Sequence, residues 1–160
     1  MLPKPDACRS CPMWQTGHGY VPDEWRPEGT GVVILGQNPG ADEEAGRQVV
    51  AVRGRDTDTV PHPPAPFLGR TGHYVETQLL PLAGLHREDC SWSNVLRCRW
   101  GRSNALPPEA VLGLAIAHCQ AAYWRPPAST RLILACGALA HRALGGRGGV
   151  HDWAGVVWEL

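Results

Sequence analysis

The stretch Gly31–Gly40, GVVILGQNPG, constrains this chain more than any other. Its apolar run, Val32–Leu35, is short and bounded by glycine on both sides, which is strand-like. It opens into a polar loop built on Gly36, Pro39 and Gly40, and the acidic ADEEAG that follows suits a helix start. Ligands of open α/β sheets bind at the carboxyl ends of strands. Gln37 and Asn38 are therefore expected at the rim of a site, while Asp42, Glu43 and Glu44 read as solvated first-turn acids favoured by the helix dipole.

Three more strands are predicted, over Ser91–Leu96, Arg131–Cys136 and Gly155–Leu160. Helical patterns separate them: His73 to about Leu80 with Thr71 as N-cap, roughly 108–124, and Gly137 to about Leu144. Four apolar strands alternating with helices predict an α/β domain, a four-stranded parallel sheet between two helical layers. At 160 residues and 43% hydrophobic composition, one domain spanning 1–160 accounts for the chain. Residues 46–66, rich in arginine and proline, read as an exposed insertion.

Residues 1–30 hold Cys8-x-x-Cys11 in an irregular, Pro-rich segment that needs an anchor. No run approaches 18 apolar residues and the start lacks a signal-peptide core, so the expected location is cytoplasmic, with no membrane partner. That compartment keeps thiols reduced, so the six cysteines are considered first as metal or cluster ligands. CxxC alone admits zinc, an iron–sulfur cluster or a redox dithiol. The net charge is zero, and 14 of the 15 basic side chains are arginine, Lys4 being the exception. Neutrality excludes a strongly basic coat but not a local arginine-lined groove. In Pro66–Gly72, PFLGRTG, the glycines allow close backbone approach to a phosphate at a helix start. Asn94 stands out because Asn is depleted in strands and a buried amide must be satisfied by the protein or by a ligand.

Together GQNPGADEEAG, PFLGRTG, NVLRCR, Cys119 and LILACGALA resemble the uracil-DNA glycosylase superfamily, in particular its thermophile-type branch, family 4, with a four-iron, four-sulfur cluster. The resemblance implies that Cys8, Cys11, Cys98 and Cys119 hold the cluster, although four thiolates also suit zinc. It further implies DNA containing uracil or a related modified base as partner, a monomer, and hydrolysis of the N-glycosidic bond of a base flipped from the stack. Phe67 would stack on that base, Asn94 would read its amide edge, and Gln37 would form a wall. Gly69, Arg70, Thr71, Gly72 and Gly137 would lie against DNA, with Arg99 and Arg102 as further phosphate contacts.

Three departures stand out. The branch reads GEAPG where this chain reads GQNPG, so Asn38 resembles the water-positioning asparagine of other branches. The roughly 26 residues between Gly40 and Phe67 exceed the usual spacing. The family's His-Pro loop after the fourth strand has no counterpart before Leu160, which keeps open a catalytically impaired DNA-binding or partner-docking domain of the same fold. A covalent trap through a histidine after the Asn-bearing strand is disfavoured, since Trp100–Pro108 contains none.

Overall fold

A computed structural model describes residues 1–100 and 106–147. The first short strand, β1 (Gly17–His18), follows the cysteine-bearing segment. The predicted first apolar run is β2 (Val32–Gly36), followed by α1 (Ala41–Ala45). Next come β3 (Arg47–Arg53), β4 (Asp56–Pro61) and α2 (Arg70–Tyr74), which continues through a wide turn over Val75–Leu79 and a tight one over Leu80–Ala83. The remainder is β5 (Ser91–Asn94), β6 (Arg99–Trp100), α3 (Glu109–Tyr123), β7 (Leu132–Ala135) and α4 (Ala138–Ala143).

β2 is the centre of a three-stranded parallel sheet in the order β5-β2-β7. Alternate residues of a strand point to opposite faces, and β2 shows this in its burial. Ile34 joins Phe67, Val75, Leu80 and Trp92 on one side, while Leu35 joins Leu112, Ala115, Leu139 and Ala140 of α3 and α4 on the other. Both faces of the central strand β2 are thus covered, as in other parallel sheets. The strand predicted over 155–160 lies outside the described residues, so three strands, not four, are described. The outer side of β5 is met by the N-terminal segment, where Glu24 and Trp92 exchange both backbone hydrogen bonds at 2.9 Å.

One local expectation is corrected and another is given its detail. α2 begins after Gly69, so Thr71 lies inside its exposed first turn and caps nothing. Residues 46–66, read as an exposed insertion, are largely exposed and contain the antiparallel β3–β4 hairpin with a bulge between Val49 and Ala51. Two runs rich in β-branched residues, QVVAV and TDTV, on either side of Gly54 carry the signal for it. The hairpin is tied down at both ends: Val49 N–H donates to the Leu68 carbonyl at 2.7 Å, and Arg70 donates to the turn carbonyls of Gly54, Arg55 and Asp56.

Candidate functional site

Four sulfurs meet at one end of the molecule. The β1–β6 ladder pairs Gly17 with Trp100 and His18 with Arg99, drawing the Cys8-x-x-Cys11 segment onto the chain just after Cys98. Cys119 arrives from α3, and Cys8, Cys11, Cys98 and Cys119 line one cavity with Lys4, Met13, Trp14, Tyr20 and Arg97. All four thiols are buried. Burial is the main reason that the Cys98 thiol is pushed up to about 12, and neighbouring thiols add to it against the opposing pull of Lys4. Cys11 and Cys119 are raised by burial as well.

A cationic centre would reverse that preference, because ligation requires thiolates. Polar groups suited to thiolate sulfur already stand around the cavity. Met13 N–H donates to Cys11 Sγ at 3.4 Å, and the Tyr123 hydroxyl lies 2.9 Å from Cys8 Sγ. Arg97 is 2% exposed, anchored by Asp23 at 3.0 Å, yet its Nε–H has no partner. The donor set therefore fits a thiolate-ligated inorganic group. Among the described residues, however, no group of three or more His, Cys, Asp or Glu side chains is gathered around a single-ion position. Cys90 and Cys136 stay outside this cavity; Cys90 packs with Ile34 and Trp92.

A second cluster forms where β2 and β5 end. Their register sets Gly36 opposite Asn94, and a Cβ at Gly36 would stand 2.4 Å from Asn94 Oδ1 and 2.9 Å from the Phe67 ring. Phe67 and Asn94, 27 residues apart in sequence, thus converge over one bare strand end. Asn94 is 3% exposed and its Nδ2 group lacks any hydrogen-bond partner. A buried amide left in that condition costs on the order of 1–3 kcal/mol unless something else pairs with it.

Phe67 itself is held unusually. Its φ of +59° is the only positive value of a non-glycine residue among the described residues, and bulky side chains rarely adopt it. Its ring packs on Trp92 with centroids 5.3 Å apart. A Cβ at Gly72 would fall 1.5 Å from the Phe67 carbonyl oxygen, so the glycine of PFLGRTG admits this neighbouring backbone.

The acids after Gly40 are not uniformly solvated, contrary to expectation. Glu43 and Glu44 are buried. The Glu43 carboxylate accepts the Gly40 N–H with one oxygen and the Phe67 N–H, at 2.5 Å, with the other. Glu44 accepts from Arg99, and Asp42 pairs with Arg47 on the surface. Sequence patterning also passed over Arg87, whose guanidinium donates to the carbonyls of Pro66 (2.7 Å) and Phe67 (3.4 Å) while pairing with Glu24 and Glu76. The prolines and turns around it left no periodic signal to flag either residue.

Other expected site residues are placed as follows. Gln37 turns toward α4, where its Oε1 accepts the Leu139 N–H at 3.3 Å, and Gly137, at φ +100°, leaves room for it. Asn38 is half-buried, its Nδ2 donating to the Pro39 carbonyl at 3.1 Å. Gly69 is half-buried beside exposed Arg70 and Thr71, and Arg70 is committed to the hairpin turn. Arg102 lies outside the described residues.

Comparison with known proteins gives a coherent picture. The profile of the Uracil DNA glycosylase superfamily matches residues 22–159, which include Phe67, Asn94, Cys98 and Cys119 but not Cys8 or Cys11. A Type-4 uracil-DNA glycosylase of Archaeoglobus fulgidus is 32% identical over 105 residues, 66% of this chain and 43% of that protein. A Type-4 uracil-DNA glycosylase of Sulfurisphaera tokodaii is 27% identical over 93 residues, 58% of this chain and 34% of that protein. The chain thus spans less than half the length of these curated relatives.

Proposed function

Because the chain belongs to the uracil-DNA glycosylase superfamily, we propose that it removes uracil or a related modified base from DNA by hydrolysing the N-glycosidic bond. The observation that carries this reading is the unpartnered, buried Nδ2 of Asn94 beside the Phe67 ring. An amide donor and acceptor together complement a carbonyl and a ring N–H, the edge that uracil presents. Cytosine offers the opposite polarity there and would leave Asn94 unsatisfied, so the same amide supplies discrimination.

In this reading the base leaves its stack and lies against Phe67. Asn38, in the loop after β2, orients the attacking water; an amide is too weak a base to do more, and the cationic sugar supplies the activation. Glu43 is a poor alternative base because backbone N–H groups engage both of its oxygens. Gln37 supports the wall from α4 rather than meeting the base through its side-chain oxygen. The half-exposed surface at Gly69, Thr71 and Gly137 faces DNA.

Cys8, Cys11, Cys98 and Cys119 would hold the iron–sulfur cluster, which supplies a structural cross-link between the N-terminal segment, the chain after β5 and α3. Four buried thiols lining one cavity support a thiolate-ligated group at this place. Among the described residues no helix is long and apolar enough to cross a membrane.

The test is alkali-revealed strand cleavage of uracil-containing single- and double-stranded oligonucleotides, with Asn38→Ala alongside. Cleavage that disappears in Asn38→Ala is the expected result. Retained DNA binding with no cleavage of any uracil substrate would overturn it in favour of a binding domain.

A further inference from the structure

We propose that Glu43 and Arg87 are positioning residues that grip the Phe67 backbone from both ends and hold its ring where a flipped base stacks. The proposal rests on the glycosylase reading above and assigns two residues to the recognition step. Phe67 carries the only non-glycine positive φ among the described residues, a conformation that persists only where the surroundings over-determine it. Those surroundings are specific. On the amide side stands the buried Glu43 carboxylate, whose second oxygen holds Gly40. One side chain therefore joins the loop carrying Asn38 to the loop carrying Phe67.

On the carbonyl side stands Arg87. Its two terminal nitrogens reach the Pro66 and Phe67 carbonyls, and each is also paired with a carboxylate, Glu24 or Glu76, at 2.5 Å. Its guanidinium lies 4.5 Å from the centroid of the Trp92 ring, the same ring that packs against Phe67. Arg87 is thus fixed on four sides, and its planar fork can hold two carbonyls at defined positions, which a lysine cannot. Opposite charges act on the two polar ends of one residue. The ring cannot relax into ordinary β or helical backbone without breaking one of these contacts.

A merely structural pair would weaken folding but would not be coupled to the ring. The experiment is a double-mutant cycle with Glu43→Gln and Phe67→Ala in the full chain, reading single-turnover uracil excision and urea unfolding in parallel. The expected result is a loss of about tenfold to a hundredfold in excision for Glu43→Gln in the wild-type background, and a loss smaller by at least about fivefold in the Phe67→Ala background, where only the Gly40 contact is still at stake. Equal losses in both backgrounds would overturn the proposal. Should Glu43→Gln fail to fold, Arg87→Lys, which keeps the charge beside Glu24 and Glu76 but not the fork, enters the same cycle with the same expectation.

Amide hydrogen exchange at Phe67 separates the two layers of argument. Faster exchange in Glu43→Gln is expected, and unchanged protection would overturn the clamp whatever the enzymology. Wild-type protein that excises no uracil would instead overturn the glycosylase reading, and with it the clamp's catalytic purpose.

Discussion

Gly72 and Gly113 offer the sharpest test of the packing around Phe67, because the same substitution should move stability in opposite directions. Both glycines lie in helices, where alanine is favoured by on the order of 1 kcal/mol. At Gly113 a Cβ meets nothing within 4 Å, so Gly113→Ala should simply stabilise by about that amount. At Gly72 the added methyl would stand 1.5 Å from a backbone oxygen, and opening that gap to 3.0 Å requires a retreat of about 1.5 Å by Phe67. Such a shift breaks the hydrogen bond to Glu43, which at 2.5 Å has no slack, and loosens the contact to Arg87. Losing a charged hydrogen bond costs about 1.5–3 kcal/mol, and the buried carboxylate left half-satisfied adds roughly 1–3. After the helix gain, Gly72→Ala should destabilise by about 1.5–5 kcal/mol, a fall of roughly 3–20 °C in Tm for a chain of this size. Thermal unfolding of both variants in one buffer and one preparation reads it directly. A Tm for Gly72→Ala at or above that of the parent would refute the close approach of Phe67 and Gly72.

Three further outcomes are expected. Asn94→Ala should weaken binding to uracil-containing DNA by more than it weakens binding to plain DNA, measured by fluorescence anisotropy; equal losses would mean that the amide does not read the base. Cys98→Ser or Cys119→Ser should abolish the broad visible absorbance and bound iron of anaerobically purified protein, by iron assay and absorption spectrum; colourless parent protein with one zinc would reject the cluster. Glu43 is raised above its ordinary value of 4.5, chiefly by burial, against the pull of the Gly40 and Phe67 amides; the charge of Asp42 adds to the rise and that of Arg87 opposes it. Its contribution to stability is therefore fully present below pH 4.5 and lost as pH rises through the folded value. Yet the protonated acid is the weaker double acceptor, so excision should fall on the acid side at a higher pH than an unperturbed carboxylate dictates, and Glu43→Gln should remove that limb from the pH–rate profile.

Much of the site was legible because it is written in short, local patterns. Val32–Leu35 announced β2 by its apolar run between glycines, and the four cysteines that the family resemblance singled out line one cavity. Asn94 stood out as an amide in a strand, and it is buried and unpaired. What escaped was set by contacts between distant segments. Acids in a first helical turn are ordinarily solvated, and nothing near Glu43 shows that Phe67, 24 residues on, folds back to take its carboxylate. Arg70 looked like a phosphate ligand by its neighbours, but the hairpin turn reaches it first. Thr71 has the chemistry of a cap, yet the helix starts before it.

The bare end of β2 has a consequence for how such a protein can change over time. Gly36 does not use left-handed backbone, so the strand itself would accept alanine. The added methyl would nevertheless press on Asn94 Oδ1 and on the Phe67 ring, which belongs to the core beside Ile34 and Trp92, while the backbone pairing in β5-β2-β7 uses none of these atoms. On the proposed reading, one codon at Gly36 therefore bears on base recognition and on the packing around Phe67 at once, so the two cannot drift apart there.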